Sequence, residues 1–227
     1  MSNQQIELHA AKKAYKGVGM EGMIATWYAR NTARSMKDFA SDACRVAALV
    51  ASSADVLEVA PGPGYFAVEL AKLGDYRITG LDISKSFVKI ARDNAARAGV
   101  RVRFEVGSAS AMPFEDDSFD FLFCRAAFKN FSEPVRALRE MYRVLRPGGR
   151  VWIVDLRRDA SLSDISKAVG EMGLGAVNVW FTRMAFRFSL IKRAWTKAEF
   201  EQFLAQTQFP SVEIEQSAMG LDIWLGK

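Results

Sequence analysis

Three features in the first third of the chain carry residue types that could hold a ligand. Gly62 and Gly64 are separated by one residue, and glycine lets a ligand approach the backbone because no Cβ is in the way. Asp82 follows eighteen positions after Gly64, where a carboxylate at a strand end can accept both hydroxyl hydrogens of a ribose. Glu58 lies in the apolar run before the glycines, so its charge needs a polar role, either capping loop amides or organising a cationic ligand. A plain tight turn would also explain the Gly-x-Gly pair taken alone.

The elements that must position these residues alternate between strands and helices. This alternation predicts right-handed βαβ units and a mostly parallel sheet, whose ligands bind at the carboxyl ends of the strands. Gly62, Asp82 and the segment Gly107-Ser108-Ala109, where an adenine would lie, all follow predicted strands. The predicted strands cover residues 55–60, 77–82, 100–106, 119–124 and 150–155, and the predicted helices cover 65–73, 84–98 and 132–145.

The end of the chain departs from this alternation. Strand candidates at 211–217 and 221–225 are joined by so short a link that they must form a hairpin, which makes the last strand antiparallel. The expected fold is therefore α/β, with a doubly wound, seven-stranded, mostly parallel sheet of the Rossmann-like type and an antiparallel last strand. Residues 1–51 are predicted as an N-terminal helical cap and residues 52–227 as the main domain. Residues 160–195 are predicted as a helical lid, with a packing helix or a membrane-surface helix as open alternatives, since aromatic and basic residues are interleaved there.

Length and composition limit the class of protein. The 227 residues suit one domain, and the net charge of +5 allows an anionic substrate without demanding one. Two cysteines and a single histidine, His9, argue against a disulfide framework, a metal site and a Ser-His-Asp triad. No apolar run reaches the roughly 18 residues of a membrane span, and the N-terminus lacks the form of a signal peptide. These features predict a cytoplasmic protein with no bound metal and no transmembrane segment.

Several motifs occur together between residues 58 and 149. They are EVAPGPG at 58–64, LDIS at 81–84, MPF at 112–114, FD at 119–120 and LREMYRVLRPGG at 138–149. Together they resemble the class I S-adenosylmethionine-dependent methyltransferases, most of all the small-molecule branch that includes the ubiquinone and menaquinone biosynthesis methyltransferases. The closing hairpin fits this resemblance as well. A nicotinamide dehydrogenase would share Gly62-x-Gly64, but it predicts neither Glu58, nor the Pro-Gly-Gly turn, nor the hairpin.

The resemblance implies S-adenosylmethionine as the cofactor and gives roles to the residues around it. The backbone from Ala60 to Gly64 would hold the methionine part, Asp82 the ribose hydroxyls, and Ile83 would lie against the adenine. Ser108 and the residue after it would meet the adenine edge, although the family usually has Asp where Ser108 stands, which implies a weaker contact. Tyrosines of the N-terminal segment would fold over the methionine end. The complete predicted set is Glu58, Ala60, Gly62, Gly64, Asp82, Ile83, Ser108, Ala109, Tyr15 and Tyr28.

The acceptor would bind at the end of the fourth strand, where the sequence reads CRAAFKNF. Lys129 or Arg125 could hold an anionic or phenolate acceptor, and Asn130 is the third candidate; both charges could equally be surface residues, and Asn130 a turn cap. Related enzymes often have His at or beside the position of Asn130, so no imidazole base is expected here. Asp155, at the end of the fifth strand, is an isolated acid rather than part of a metal cluster. Cys124 is typical of a buried core thiol.

The predicted function is transfer of a methyl group from S-adenosylmethionine to oxygen, nitrogen or carbon of a small, aromatic or apolar acceptor. A non-catalytic S-adenosylmethionine-binding partner protein is an alternative, because the histidine is missing and Ser108 replaces the usual Asp. An RNA methyltransferase is a weaker alternative that only the +5 charge favours. The Asp/Asn-Pro-Pro-aromatic motif of nucleic-acid amino-methylating enzymes is missing, so a nucleic-acid partner is not expected.

Overall fold

The computed structural model describes residues 15–16, 19–33, 36–171 and 191–227. Its strands are β1 (Asp55–Val59), β2 (Arg77–Asp82), β3 (Arg103–Val106), β4 (Phe119–Arg125), β5 (Leu145–Leu156), β6 (Ser211–Gln216) and β7 (Gly220–Gly226). Its helices are α1 (Gly22–Thr32), α2 (Met36–Ala47), α3 (Tyr65–Ala71), α4 (Lys85–Ala98), α5 (Pro134–Val144), α6 (Leu162–Glu171), the short turn α7 (Ile191–Arg193) and α8 (Lys197–Leu204). A 3-10 turn, Phe128–Asn130, follows β4.

The strands form one seven-stranded sheet in the order β3-β2-β1-β4-β5-β7-β6. The first five strands pair in parallel, whereas β7 lies between β5 and β6 and is antiparallel to both. The order reverses between β1 and β4, so the crevice expected for a ligand opens at the carboxyl ends of these two strands. The predicted fold class, including the antiparallel hairpin, is confirmed.

The core lies on both faces of the sheet because buried side chains alternate along the strands. In β4, Leu122 and Cys124 pack on the face covered by α5 and α8, while Phe121 and Phe123 pack on the face covered by α2, α3 and α4. This alternation is the period of two that an extended strand imposes. Both faces of β4 are fully covered, which holds its carboxyl end rigidly at the crevice.

Two predicted boundaries differ from the structure by three residues or more. The strand predicted at 100–106 begins at Arg103, because Gly99 ends α4 in a left-handed conformation and the amide of Val100 donates back to the carbonyl of Ala95. The strand predicted at 150–155 begins earlier, at Leu145, which pairs with Phe119. A register shift in β4 after Phe119 accommodates the Pro-Gly-Gly turn inside this long strand.

The segment predicted as a lid is described only in part. Its aromatic and basic residues Trp180, Phe181, Arg183, Phe186, Arg187 and Phe188 lie outside the described residues, as does His9. In the described part, Ile165 and Val169 of α6 pack with Ile191 of α7 in a small buried cluster. No helix in the described ranges has the length and apolar character needed to cross a membrane.

Candidate functional site

Asp82 organises the loop after β1 from the neighbouring strand. The backbone amide of Gly62 donates to its Oδ2 at 2.9 Å, and the amide of Ser84 donates to its Oδ1 at 2.8 Å. The amide of Ala60 donates to the carbonyl of Leu81, which joins the two strand ends directly. Asp82 is buried, and this burial raises its pKa to about 6 in spite of the amides that stabilise its charge. The carboxylate is thus already surrounded by donors at the mouth of the crevice.

Glu58 lies one strand away from Asp82 and is also buried. Its Oε2 accepts a hydrogen bond from the amide of Ala67, in the first turn of α3, at 3.1 Å. Burial raises its pKa well above the ordinary value, and the nearby charges of Asp82 and Asp42 raise it further. Glu58 therefore caps an amide of the loop-to-helix transition, which is one of the two roles that the sequence left open.

The two glycines of the loop are needed for different reasons. Gly62 has a φ of 55°, and a Cβ added there would meet nothing within 4 Å, so its backbone borders open space. Gly64 has a φ of 73°, and a Cβ there would lie 2.7 Å from the ring of Phe104 and 2.9 Å from the Cβ of Ala91. Close packing of α3 against α4 and β3 thus requires a glycine at position 64, which is the alternative that the sequence left open. The predicted contact of Gly62 and Gly64 with a ligand stays a prediction.

The residues assigned to the adenine side lie at the ends of β2 and β3. Ile83, Ser108 and Ala109 are each half-buried, and Ala109 packs against the main core. The Oγ of Ser108 accepts a hydrogen bond from the amide of Ser110 at 3.2 Å. The amide of Gly107 donates to the carbonyl of Asp82 at 2.9 Å, so this loop is tied to the same strand end as the glycine loop.

Tyr15 is brought to this strand end from the N-terminal segment. It forms an antiparallel bridge with Phe131, and burial raises its pKa, with Tyr28 and Asp82 close enough to add to that increase and Arg193 close enough to oppose it. Tyr28 packs edge-on against Phe87 of α4, with ring centroids 5.6 Å apart. The structure therefore brings Tyr15, Tyr28 and Asp82 together, although they are far apart in sequence.

Glu21 is a residue of this region that the sequence analysis missed. Its two carboxylate oxygens accept hydrogen bonds from the amides of Lys85 and Ser86, each at 3.0 Å, at the N-terminus of α4. Ser84 caps the same helix through its Oγ, as the sequence predicted, and donates to the carbonyl of Met20 at 2.5 Å. These contacts dock the N-terminal segment beside Asp82. An acidic residue is a common partner for helix N-termini, but no pattern in the sequence indicates which helix Glu21 reaches.

Arg125 and Lys129, the two cations expected to meet the acceptor, each have a carboxylate partner. Arg125 donates from its Nη1 to Oδ2 of Asp42 in α2. Lys129 pairs with Asp155, Nζ to Oδ1 at 2.9 Å, and both side chains are about 95 % buried, with 5 % and 4 % exposed. Lys129 is therefore not the surface charge of the alternative prediction, whereas Arg125 keeps 27 % of its side chain exposed. The carbonyl of Asn130 accepts a hydrogen bond from the amide of Lys16 at 2.7 Å. The predicted contacts of Arg125, Lys129 and Asn130 with the acceptor stay predictions.

Cys124 is a buried thiol in the core, as the sequence predicted. Burial raises the pKa of the Cys124 thiol well above its ordinary value, so it stays protonated and unreactive in the core. Among the described residues, no three His, Cys, Asp or Glu side chains are grouped as a metal site would require.

Comparisons with known proteins agree with this geometry. Residues 57–153 match the family profile described as "Methyltransferase domain". The chain is 39 % identical over 115 residues to a demethylmenaquinone methyltransferase of Deinococcus radiodurans, covering 50 % of this chain and 48 % of that one. It is 34 % identical over 110 residues to the ubiquinone/menaquinone biosynthesis C-methyltransferase UbiE of a Marinomonas species, covering 47 % and 44 %. The match thus spans about half the length of these curated relatives.

A solved structure extends the likeness to nearly the whole fold. The crystal structure of a protein from Methanococcus maripaludis, described as an S-adenosyl-L-methionine-dependent methyltransferase, superposes with a TM-score of 0.73 at 21 % identity and covers 93 % of this chain and 95 % of that chain. The chain therefore shares the fold of this structure, and its residues 57–153 resemble a methyltransferase domain in sequence. Over about half of their length, the curated relatives it resembles are demethylmenaquinone and ubiquinone/menaquinone biosynthesis methyltransferases. These similarities support S-adenosylmethionine, the cofactor that the sequence predicted.

Proposed function

We propose that the protein transfers a methyl group from S-adenosylmethionine to a small aromatic or apolar acceptor in the cytoplasm. The observation that carries this proposal is the carboxylate of Asp82, held by the amides of Gly62 and Ser84 beside open space over Gly62. A buried carboxylate ringed by donors at the switch point of the sheet is suited to a ribose. When bound, S-adenosylmethionine supplies a methyl group that its positively charged sulfur activates.

The chain's own residues would hold the cofactor from several sides. Asp82 would accept the ribose hydroxyls, and the backbone from Ala60 to Gly64 would lie along the methionine part. Ile83 would lie against the adenine, whose edge would meet Ser108 and its neighbour Ala109. Glu58 fixes the start of α3 by accepting the amide of Ala67. Tyr15 and Tyr28 would cover the methionine end.

The state of the charges after β4 supports an acceptor without a strong negative charge. Arg125 is neutralised by Asp42, and Lys129 by Asp155, so neither cation is free to hold an anion. Aromatic rings surround the same turn, since Phe128 and Phe131 pack with centroids 5.2 Å apart. The chain's only histidine, His9, is in no motif. Catalysis is therefore proposed to depend on holding the acceptor in line with the methyl group and on excluding water.

Calorimetric titration with S-adenosylhomocysteine and with NAD tests the cofactor part. We expect S-adenosylhomocysteine to bind at about 1–100 μM, in the range of ordinary enzyme substrates, and NAD at least about a hundredfold more weakly. Equal binding of NAD would refute the proposal. Turnover of methyl-labelled S-adenosylmethionine with a panel of neutral phenols and quinones, matched with their carboxylated analogues, tests the acceptor part. We expect the neutral members to be preferred. Binding of the cofactor with no methylation of any panel member would favour the non-catalytic alternative.

A further inference from the structure

Lys129 is placed where its ammonium cannot reach an acceptor without breaking existing contacts. Besides its 2.9 Å contact with Oδ1 of Asp155, the Nζ donates to the carbonyl of Ala126. The backbone amide of the same lysine donates to Oδ2 of Asp155 at 2.7 Å. A buried ammonium with these partners is not a free cation, because removing it from a buried carboxylate would leave both charges unpaired.

Asp155 accepts hydrogen bonds from the ends of two strands at once. In addition to the two donors of Lys129, its Oδ1 accepts the amide of Leu156 at 2.7 Å. The pair therefore ties the last residues of β5 to the 3-10 turn that follows β4. Ala126, between β4 and that turn, has a left-handed conformation with a φ of 55°, which surrounding contacts must hold.

The 3-10 turn after β4 holds a short piece of the N-terminal segment, Tyr15 and Lys16, which we call the strap. The amide of Lys16 donates to the carbonyl of Asn130, and Tyr15 bridges to Phe131. The ammonium of Lys16 lies 3.8 Å from the ring centroid of Trp195, which itself bridges to Arg157 just beyond β5. The backbone of Lys16 is thus held by the turn after β4, and its ammonium by a tryptophan that is bridged to the end of β5.

We propose that Lys129 and Asp155 are a positioning pair, which holds the turn after β4 so that the strap keeps Tyr15 over the cofactor site. Lys129 acts through Asn130 and Lys16 and does not contact the acceptor. The effect on the cofactor rests on the proposed function, whereas the effect on the strap does not. The pair explains why a lysine, which is normally exposed, is buried at this position.

Exchange of the Lys16 amide hydrogen, followed in the full chain without ligand, tests the link to the strap. We expect Lys129→Met to speed this exchange by about tenfold or more, because the turn that presents the Asn130 carbonyl loosens. The matched control is the exposed pair of α4, Lys89 and Asp93, which lie 3.1 Å apart. The variant Lys89→Met should leave the exchange of Lys16 unchanged. Unchanged exchange in Lys129→Met would overturn the proposal.

A double variant keeps the test valid if Lys129→Met does not fold. Lys129→Met combined with Asp155→Asn removes both charges and so leaves no unpaired buried carboxylate, which should restore the thermal unfolding temperature toward that of the parent. The Lys16 amide should then exchange at a rate between those of the parent and of Lys129→Met. A double variant whose unfolding temperature is no higher than that of Lys129→Met would also count against a functioning pair.

Titration with S-adenosylhomocysteine tests the link to the cofactor site through a cycle of variants. We expect Lys129→Met to weaken its binding by roughly three- to tenfold, and Tyr15→Ala to do the same or more. If Lys129 acts through Tyr15, the double variant binds no more weakly than Tyr15→Ala alone. Fully additive losses would overturn the proposal. If the parent itself does not bind S-adenosylhomocysteine, the proposed function fails, and the exchange of Lys16 still decides the positioning role.

Discussion

The amide of Gly62 and the carboxylate of Asp82 are joined at 2.9 Å across the ends of two neighbouring strands. This hydrogen bond links the loop that borders the open space to the acid assigned to the ribose. It also means that Asp82 serves two partners, since its other oxygen accepts the amide of Ser84. Loss of this carboxylate therefore has two effects: it removes a ligand contact, and it loosens the loop that contains Gly62.

The first prediction compares Asp82 with Ser108. Asp82→Ala should weaken the binding of S-adenosylhomocysteine by about ten- to hundredfold, because hydrogen bonds to a charged group contribute about 1.5–3 kcal/mol each. Ser108→Ala should weaken this binding only about two- to tenfold, because a neutral contact contributes about 0.5–1.5 kcal/mol. Calorimetric titration of both variants measures the difference. Equal losses in the two variants would show that Asp82 does not hold the ribose.

The second prediction concerns pH. Burial raises the pKa of Asp82 to about 6, and an ionised carboxylate is the better acceptor for ribose hydroxyls. The affinity for S-adenosylhomocysteine should therefore fall as the pH is lowered from 7.5 through 6 to 5. Titration across this range measures it, and Asp82→Asn, which cannot ionise, should bind weakly with a flatter pH profile.

The contribution of Asp82 to the stability of the ligand-free protein should change with pH in the opposite direction to the affinity. Because its folded pKa lies above the unfolded value of 3.8, its proton is bound more tightly in the folded state. The stabilisation that this gives is fully present below pH 3.8 and is lost as the pH rises through about 6. Comparing the free energy of unfolding of the parent and of Asp82→Asn between pH 5 and 7.5 isolates this part. A difference that does not change with pH would contradict the raised pKa.

The third prediction concerns the pair that links the N-terminal helix α2 to the end of β4. Asp42 and Arg125 are partly buried, with 13 % and 27 % of their side chains exposed, and Arg125 also lies 5.7 Å from the ring of Phe39. Arg125→Met should lower the free energy of unfolding at pH 7.5, because it leaves the partly buried carboxylate of Asp42 unpaired. The coupling between Asp42→Asn and Arg125→Met at pH 7.5 should be about 0.5–3 kcal/mol, as for other contacting pairs. Urea unfolding of the four proteins of the cycle measures it.

The same coupling should depend on pH. Burial raises the pKa of Asp42 to about 6, because it outweighs the opposing charge of Arg125. The coupling needs the ionised carboxylate, so it should be smaller at pH 5 than at pH 7.5. The exposed pair of Lys89 and Asp93, taken through the same cycle, should give a coupling near zero at both values. A zero coupling for Asp42 and Arg125 at pH 7.5 would show that the two side chains act independently.

The features that the sequence predicted depend on local pattern. The strands of the sheet follow from the alternation of apolar residues, the start of α4 from the capping residue Ser84, and the last hairpin from the short link between two strands. Asp82 could be predicted because it ends a strand at a fixed distance from the glycine loop. The fold class was therefore accessible from residues close in sequence, and so was the position of Asp82 beside the glycine loop.

The features that the sequence did not predict depend on contacts between distant elements. Asp42 lies 83 positions from Arg125, and Asp155 lies 26 positions from Lys129, and no periodicity marks such partners. Which acid meets which cation is decided by how helix and strand ends pack in three dimensions. The different roles of Gly62 and Gly64 likewise depend on the ring of Phe104, which approaches only one of them.

The last prediction concerns two strained alanines at the crevice. Ala60 and Ala126 follow the adjacent strands β1 and β4, and they have φ values of 56° and 55°. The amide of Ala60 donates to the carbonyl of Leu81, and the amide of Ala126 donates to the carbonyl of Val154. Both carbonyls belong to neighbouring strands, so the sheet fixes the conformation. For a residue with a Cβ, this left-handed conformation costs roughly 1–2 kcal/mol. Glycine avoids that cost but gives the unfolded chain more freedom, by roughly 0.5–1 kcal/mol.

Ala126→Gly should therefore leave the free energy of unfolding unchanged or raise it by up to about 1 kcal/mol. Ala126→Val should lower it by more than about 2 kcal/mol, because a β-branched side chain is a poor fit to this region. The control is Ala96→Gly on the exposed side of α4, which should lower it by about 1 kcal/mol, since glycine is unfavourable in a helix. Urea unfolding compares the three variants with the parent. A loss for Ala126→Gly as large as for Ala96→Gly would show that the turn after β4 carries no strain.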